Sequence, residues 1–342
     1  MEKPIVIPST LTAPEFGKIN VWNKGTELEV QFTILMEPQG REAEGWRTGL
    51  ALDASSSMKD AFGRGLIGKV PPELLAEYER KGWVELRAAE DGRPLRVFQE
   101  QAYQDAINKG VLVFTPNTVQ PVARDFMGFL AGHLDAQGHT TLIYWACGDG
   151  SQIEVAGDFD EAHCATADIV GPRTTTFGKR TLLLPALNYF IERFRDARRG
   201  MYVFVTDGKI DDFAEVTRYT IQLAQAIASG RRNPVKGVLI GVGDQIDLQQ
   251  MENLDHLDTG TDVDIWDCKT AKEMRSLKEI FAEVVDEQAV IASSAAIYDS
   301  AGKLVKKYTD GLPGRDTIVL APDCKWFELE VLGRRIRQTV VV

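Results

Sequence analysis

Three short segments of this chain place oxygen-bearing side chains at the ends of apolar runs. In GLALDASSSM (49–58), Asp53, Ser55 and Ser57 occupy alternate positions as an apolar run finishes. In FVTDGK (204–209), a second run ends in Thr206-Asp207-Gly208, where glycine lets the backbone turn close to whatever the carboxylate faces. In FGKRTLLLPAL (177–187), Thr181 opens an amphipathic stretch, a place where a plain helix N-cap would also put a threonine. Asp53, Ser55, Ser57, Thr181 and Asp207 have only oxygen to offer. A hard cation such as Mg2+ takes oxygen ligands in near-octahedral array and usually keeps several waters.

Other chemistries fit the sequence less well. GRGLIGKV (63–70) matches both GxGxxG and GxxxxGK, but SSMKDAF rather than a strand precedes it, Val70 replaces the Mg2+-binding hydroxyl, and Pro71-Pro72 follows. A phosphate cradle needs a strand before the loop and a helix N-terminus directly after it, and the prolines push any helix late. A haloacid-type phosphatase would need a second Asp where Ser55 stands. There is no GxSxG elbow, and Cys147, Cys164, Cys268 and Cys324 include no CxxC pair. His133, His139, His163 and His256 form no i, i+4 pair. The acidic DTGTDVDIWD (258–267) lacks the Gly and terminal Glu of a calcium loop and reads as a solvated turn and strand.

Apolar runs at 49–53, 140–148, 152–157, 201–207, 236–243 and 263–268 alternate with helical stripes at 119–138, 181–197, 213–230 and 271–287. Such near-continuous strands predict a doubly wound, mainly parallel α/β sheet covered on both faces, spanning 45–290. Asp53 and Asp207 then fall at carboxyl ends of strands, facing solvent. Residues 59–116 read as an insertion that regulates or extends the surface beside the hydroxyl-rich loop, because so long a connection in a compact domain is usually functional or disordered. The N-terminal segment 1–44 contains a hairpin pattern around Asn23-Lys24-Gly25, and 291–342 holds several more strand patterns. Neither end can bury enough surface alone, so they are expected to pair as a β-sandwich-like unit against the α/β core.

The 342 residues are 44% apolar and carry a formal net charge of −11, so no overall field favours nucleic acid or an anionic membrane. No apolar run reaches the roughly 18–20 residues that span a bilayer, and MEKPIVIPST lacks the layout of a signal peptide. A cytoplasmic location is expected.

DxSxS after the first strand, a Thr at a loop-to-helix junction and TDG after a later strand, in that order, form the pattern of a metal-ion-dependent adhesion site. Over roughly 45–290 the chain resembles a von Willebrand factor A domain, with GVLIGVGDQIDLQQMENL similar to that family's later strand, turn and helix. VQPVARDFMGFLAGHLDAQGHTTLIYW is similar to the bacterial subgroup found with tellurium-resistance and MoxR-type ATPase systems. The resemblance implies direct coordination of Mg2+, with Mn2+ or Ca2+ as alternatives, by Ser55 and Ser57. It implies Thr181 as a ligand in one state, and Asp53 and Asp207 bound directly or through water. An open position would take an Asp or Glu from a partner protein, and neutral hydroxyls would leave the cation electrophilic enough to favour it. The function implied is a non-enzymatic adaptor in a bacterial stress or defence system, with a MoxR-type AAA+ ATPase as partner. A metal-dependent phosphohydrolase or NTPase, and a scaffold with a vestigial metal site, are the alternatives. Two departures from the family stand out: Ser56 replaces the usual Gly between the serines, and the 59–116 insertion lengthens a usually short loop.

Overall fold

The computed structural model describes residues 4–8, 11–34, 45–88, 93–243, 245–271, 290–309 and 311–340. The helical stripe expected at 271–287 and the turn expected at Asp91-Gly92 lie outside the described residues, apart from Ala271.

The strands that carry the site residues belong to a six-stranded mixed sheet. Its order is Gln152–Asp160, His139–Cys147, Trp46–Asp53, Arg199–Thr206, Val235–Gly241 and Trp266–Thr270. Trp46–Asp53 lies parallel between its neighbours, with Asp53 opposite Trp145 and Leu52 opposite Val205. The edge strand Gln152–Asp160 runs antiparallel. Leu50, Leu52, Met201, Val203 and Ile240 pack on one face with Phe126 and Met127 of the helix Val119–Phe129. Ala51, Trp145, Phe204 and Leu239 pack on the other with the helices Leu184–Arg193 and Phe213–Ala228. The fit is tight. A Cβ on Gly49 would stand 2.2 Å from the Phe190 ring, which stacks on Tyr202 at 4.9 Å between centroids.

A doubly wound, mainly parallel α/β sheet is nevertheless not the class of this chain. Among the described residues strand outweighs helix, 38% against 26%, and the other five sheets are wholly antiparallel, as is one edge of the six-stranded sheet. The chain is a β-rich assembly of several sheets. Local periodicity shows that a segment is extended and buried, but antiparallel partners far apart in sequence leave no local mark.

Strands from the two ends of the chain share a sheet in the order Ile5–Val6, Phe16–Asn23, Leu28–Ile34 and Arg315–Leu320. A second sheet runs Leu304–Tyr308, Ala295–Asp299, Trp326–Val331 and Arg334–Thr339. Their inward residues form one core, in which Phe16, Phe32 and Phe327 lie 5.5–5.6 Å apart between ring centroids.

Residues 66–114 fold around a small core of their own, made by Tyr78, Val84, Ala102, Ala106 and Leu112. The strands Leu66–Gly68 and Leu112–Phe114 form the base ribbon, and the helices Pro72–Arg80 and Glu100–Asn108 flank the hairpin Val84–Ala88 with Pro94–Phe98. The base closes where Thr115 N–H donates to the Gly65 carbonyl at 3.0 Å. Phe62 belongs to the main core instead, 5.7 Å from both the Tyr144 and Phe177 rings. No helix among the described residues is long and apolar enough to cross a membrane.

Candidate metal centre

Asp53 is the last residue of its strand, and the chain turns at once into the 3-10 segment Ser56–Lys59. That turn is closed by Asp53 itself, whose Oδ1 accepts the Ser55 N–H at 2.6 Å. The second carboxylate oxygen accepts the Thr206 hydroxyl, also at 2.6 Å. Ser55 Oγ and Ser57 Oγ are 3.0 Å apart, and Ser57 Oγ donates to Asp207 Oδ1 at 2.8 Å. Asp53, Ser55, Ser57 and Asp207 thus form one continuous hydrogen-bonded chain across the ends of adjacent strands.

Thr181 stands beside that chain rather than in it. It is buried, and its Oγ1 lies 4.0 Å from where a Cβ on Gly208 would sit. It does not begin the helix, which starts three residues later at Leu184. Its backbone is clamped by Asp211, which accepts the Thr181 N–H at 2.9 Å and donates its own N–H to the Thr181 carbonyl at 2.9 Å. The adjacent Asp212 caps the helix from outside, accepting the N–H groups of Leu183 and Leu184 at 2.9 Å each. Two of the N–H groups at the helix start, those of Leu183 and Leu184, are therefore satisfied by the loop that follows Asp207.

The third loop is fixed in a similar way. Ser56 donates both its hydroxyl and its N–H to the Gly178 carbonyl, and Gly178 N–H donates back to the Ala54 carbonyl at 2.8 Å. Gly178 is required here, because a Cβ would lie 1.8 Å from the Ala146 carbonyl oxygen. Ala146 itself holds a left-handed φ of 57°, which a residue with a Cβ adopts only at a cost. Farther out, Glu154 accepts the N–H groups of Arg173, Thr174 and Thr175 and the hydroxyls of both threonines, at 2.6–3.0 Å. Burial pushes its carboxyl up, but these donors outweigh that and hold it down at about 2.

The electrostatics set the two carboxylates apart from ordinary surface acids. Asp53 is fully buried, so the expectation that it faces solvent is corrected. Its strand continues to the last residue beneath covering loops, and an end position in a sheet does not by itself expose a side chain. Burial pushes the Asp53 carboxyl up to about 6, opposed by the Thr206 and Ser55 hydrogen bonds and reinforced by the charge of Asp207. Burial also raises Asp207, against the hydrogen bond from Ser57. Among the described residues neither has a cationic side chain within ion-pair distance.

Among the described residues, no group of three or more His, Cys, Asp or Glu stands where it could hold a metal ion. The cluster here is of another kind, two carboxylates with two hydroxyls between them and a third hydroxyl nearby. Those donors suit a hard cation, and a buried carboxylate without a counter-charge is a place where one would offset a large desolvation cost. Sequence reading missed the supporting residues Gly178, Asp211, Asp212 and Glu154, and named Thr206 without giving it a role. The TDG motif contained Thr206, and the adjacent acids 211 and 212 were a visible capping signal.

No protein-family model matches the chain, and no curated protein matches it. Among solved structures, the three N-terminal domains of the type V pili tip protein Mfa5 from Porphyromonas gingivalis align over 99% of this chain and 78% of theirs. The identity is 10% and the TM-score 0.29. A superposition that loose bears on neither fold nor function.

Proposed function

We propose that the chain is a non-enzymatic, Mg2+-dependent protein-interaction module of the cytoplasm that captures an Asp or Glu of a partner protein. The observation that carries this reading is the continuous chain from Asp53 through Ser55 and Ser57 to Asp207, built on separate loops at one end of a sheet. The motif order DxSxS, Thr, TDG and the resemblance to von Willebrand factor A domains support it from the sequence side. Ser55, Ser57 and Asp207 would hold the ion, with Asp53 behind them and Thr181 at the side. When bound, Mg2+ supplies a hard, electrophilic position able to accept a carboxylate.

The protein's own contribution is positioning. Asp53 and Thr206 fix the first loop to the neighbouring strand, while Ser56 with Gly178, and Asp211 with Thr181, fix the Thr181 loop. The base ribbon of the insertion follows Ser57 by fewer than ten residues and exposes Ile67, Val113 and Phe114, so it extends the partner surface. The bacterial resemblance makes a MoxR-type AAA+ ATPase the partner to test first.

Calorimetric titration of Mg2+ into the full chain tests the reading, beside Asp53→Asn and Asp207→Asn. Both variants are expected to stay folded by circular dichroism and to lose Mg2+ binding and Mg2+-dependent partner capture. Partner capture that persists in chelator, or in either variant, would overturn the adaptor reading.

A further inference from the structure

Four cations stand around the candidate metal centre on the loops that build it. Lys59 follows Ser57 by two residues, Lys179 and Arg180 lie between Gly178 and Thr181, and Lys209 follows Asp207 by two. All four side chains are exposed. Two residues span at most about 7 Å of chain, and the loops are tied together at Ser57–Asp207 and Ser56–Gly178. The four backbone positions therefore lie on the three loops that meet at the candidate site.

Among the described residues none of the four has a carboxylate within ion-pair distance. Elsewhere on the surface many cations are paired, as in Arg193–Asp158, Arg232–Glu192 and Lys236–Asp264. The acids on the same loops are mostly engaged by backbone donors and hydroxyls. Asp211 and Asp212 accept N–H groups of 181–184, and Asp149 accepts both the N–H and the hydroxyl of Ser151. Asp60 is the exposed acid on these loops without such a donor among the described residues. In a chain of net charge −11, this leaves four exposed cations outside any ion pair among the described residues at one mouth, of which Arg180 also acts through its charge on Asp149.

From this arrangement we infer that the partner segment is acidic over several residues, with further Asp or Glu flanking the carboxylate that enters the site. The inference rests on the proposed function, since it assigns the surroundings of the same site. Carboxylates on both sides of the central one would face Lys59, Lys179, Arg180 and Lys209. Each exposed pair is weak alone, but together they steer and orient the segment.

The test uses the full chain with saturating Mg2+ and two short Gly/Ser peptides, one with a single central Asp and one with Glu residues on both sides of it. The flanked peptide is expected to bind about tenfold more tightly, which corresponds to about 1.4 kcal/mol. The gap should close at about 1 M salt, where the screening length is about 3 Å. The combined neutral variant Lys59→Gln, Lys179→Gln, Arg180→Gln, Lys209→Gln should bind both peptides equally while still binding Mg2+. Equal affinity of the two peptides for the unaltered chain would overturn the inference and leave the adaptor reading standing. Failure of both peptides to bind in Mg2+ would sink the adaptor reading and the inference with it. Tighter binding of a single-stranded oligonucleotide than of the flanked peptide would overturn the choice of an acidic polypeptide.

Discussion

Ser56 reaches the Gly178 carbonyl twice, through its hydroxyl at 2.7 Å and its backbone N–H at 2.8 Å. Two donors from one residue on a single acceptor lock the Ser55–Ser57 loop to the loop that leads into Thr181. A glycine at this position, usual in the family the chain resembles, could make only the backbone bond.

Ser56→Ala should therefore lose the hydroxyl bond alone and cost about 0.5–1.5 kcal/mol in urea unfolding. Ser56→Gly should cost more, because glycine adds unfolded-state freedom worth about 0.5–1 kcal/mol. Equal stability of the three proteins would mean that water replaces the hydroxyl bond without loss.

Gly178→Ala places a methyl 1.8 Å from the Ala146 carbonyl oxygen, a backbone atom that no rotamer change can move. Overpacking of this kind costs about 1–3 kcal/mol, and the loop shift should also weaken Mg2+ binding. Adding Ala146→Gly should relieve the left-handed strain at that position but should not restore Mg2+ binding, since the obstructing oxygen remains. Full rescue by that second change would show that the Ala146 side chain, not its carbonyl, sets the spacing.

The Glu154 carboxyl gives a pH signature. Its value falls from an ordinary 4.5 to about 2 in the folded chain, so the unfolded state binds the proton more readily. Its contribution is fully present above about 4.5 and is lost as pH falls toward about 2. Melting curves recorded across that window should fall more steeply for the unaltered chain than for Glu154→Gln, which should also melt lower at neutral pH. Parallel curves would remove Glu154 from the acid response.

Replacing 66–114 with a short Gly/Ser linker between Gly65 and Thr115 should leave a cooperatively folding protein that still binds Mg2+. The removed residues have their own core, and their ends already meet. Phe62→Ala in the same background should cost about 3–5 kcal/mol, because that ring is buried in the main core. A shortened protein that fails to fold would show that the insertion supports the sheet.

Much of the candidate site could be read from residue types and order. Asp53, Ser55, Ser57 and Asp207 were singled out by hydroxyls and carboxylates at the ends of apolar runs, and the structure brings those four into one hydrogen-bonded chain. Runs such as MYVFVTD are legible because burial on both faces of a sheet demands unbroken apolar sequence. Thr181 shows where that reading stops. Its hydroxyl position depends on Asp211, thirty residues later in the chain, and on a helix whose first N–H groups are capped from another loop rather than by Thr181.

The fold class lay further out of reach for the same reason. Arg315 pairs with Thr33, and Leu320 with Leu28, across nearly the whole chain, and nothing in either segment's own pattern names its partner. The sequence by itself determined which residues are extended, which are apolar, and which oxygen donors close each strand, because these depend on side-chain chemistry and local period. Tertiary structure alone decided the balance of antiparallel to parallel pairing, the complete burial of Asp53, and the Glu154 and Gly178 contacts that hold the loops. Each of those depends on which distant segment fills the adjacent space, and packing settles that only when the whole chain has closed.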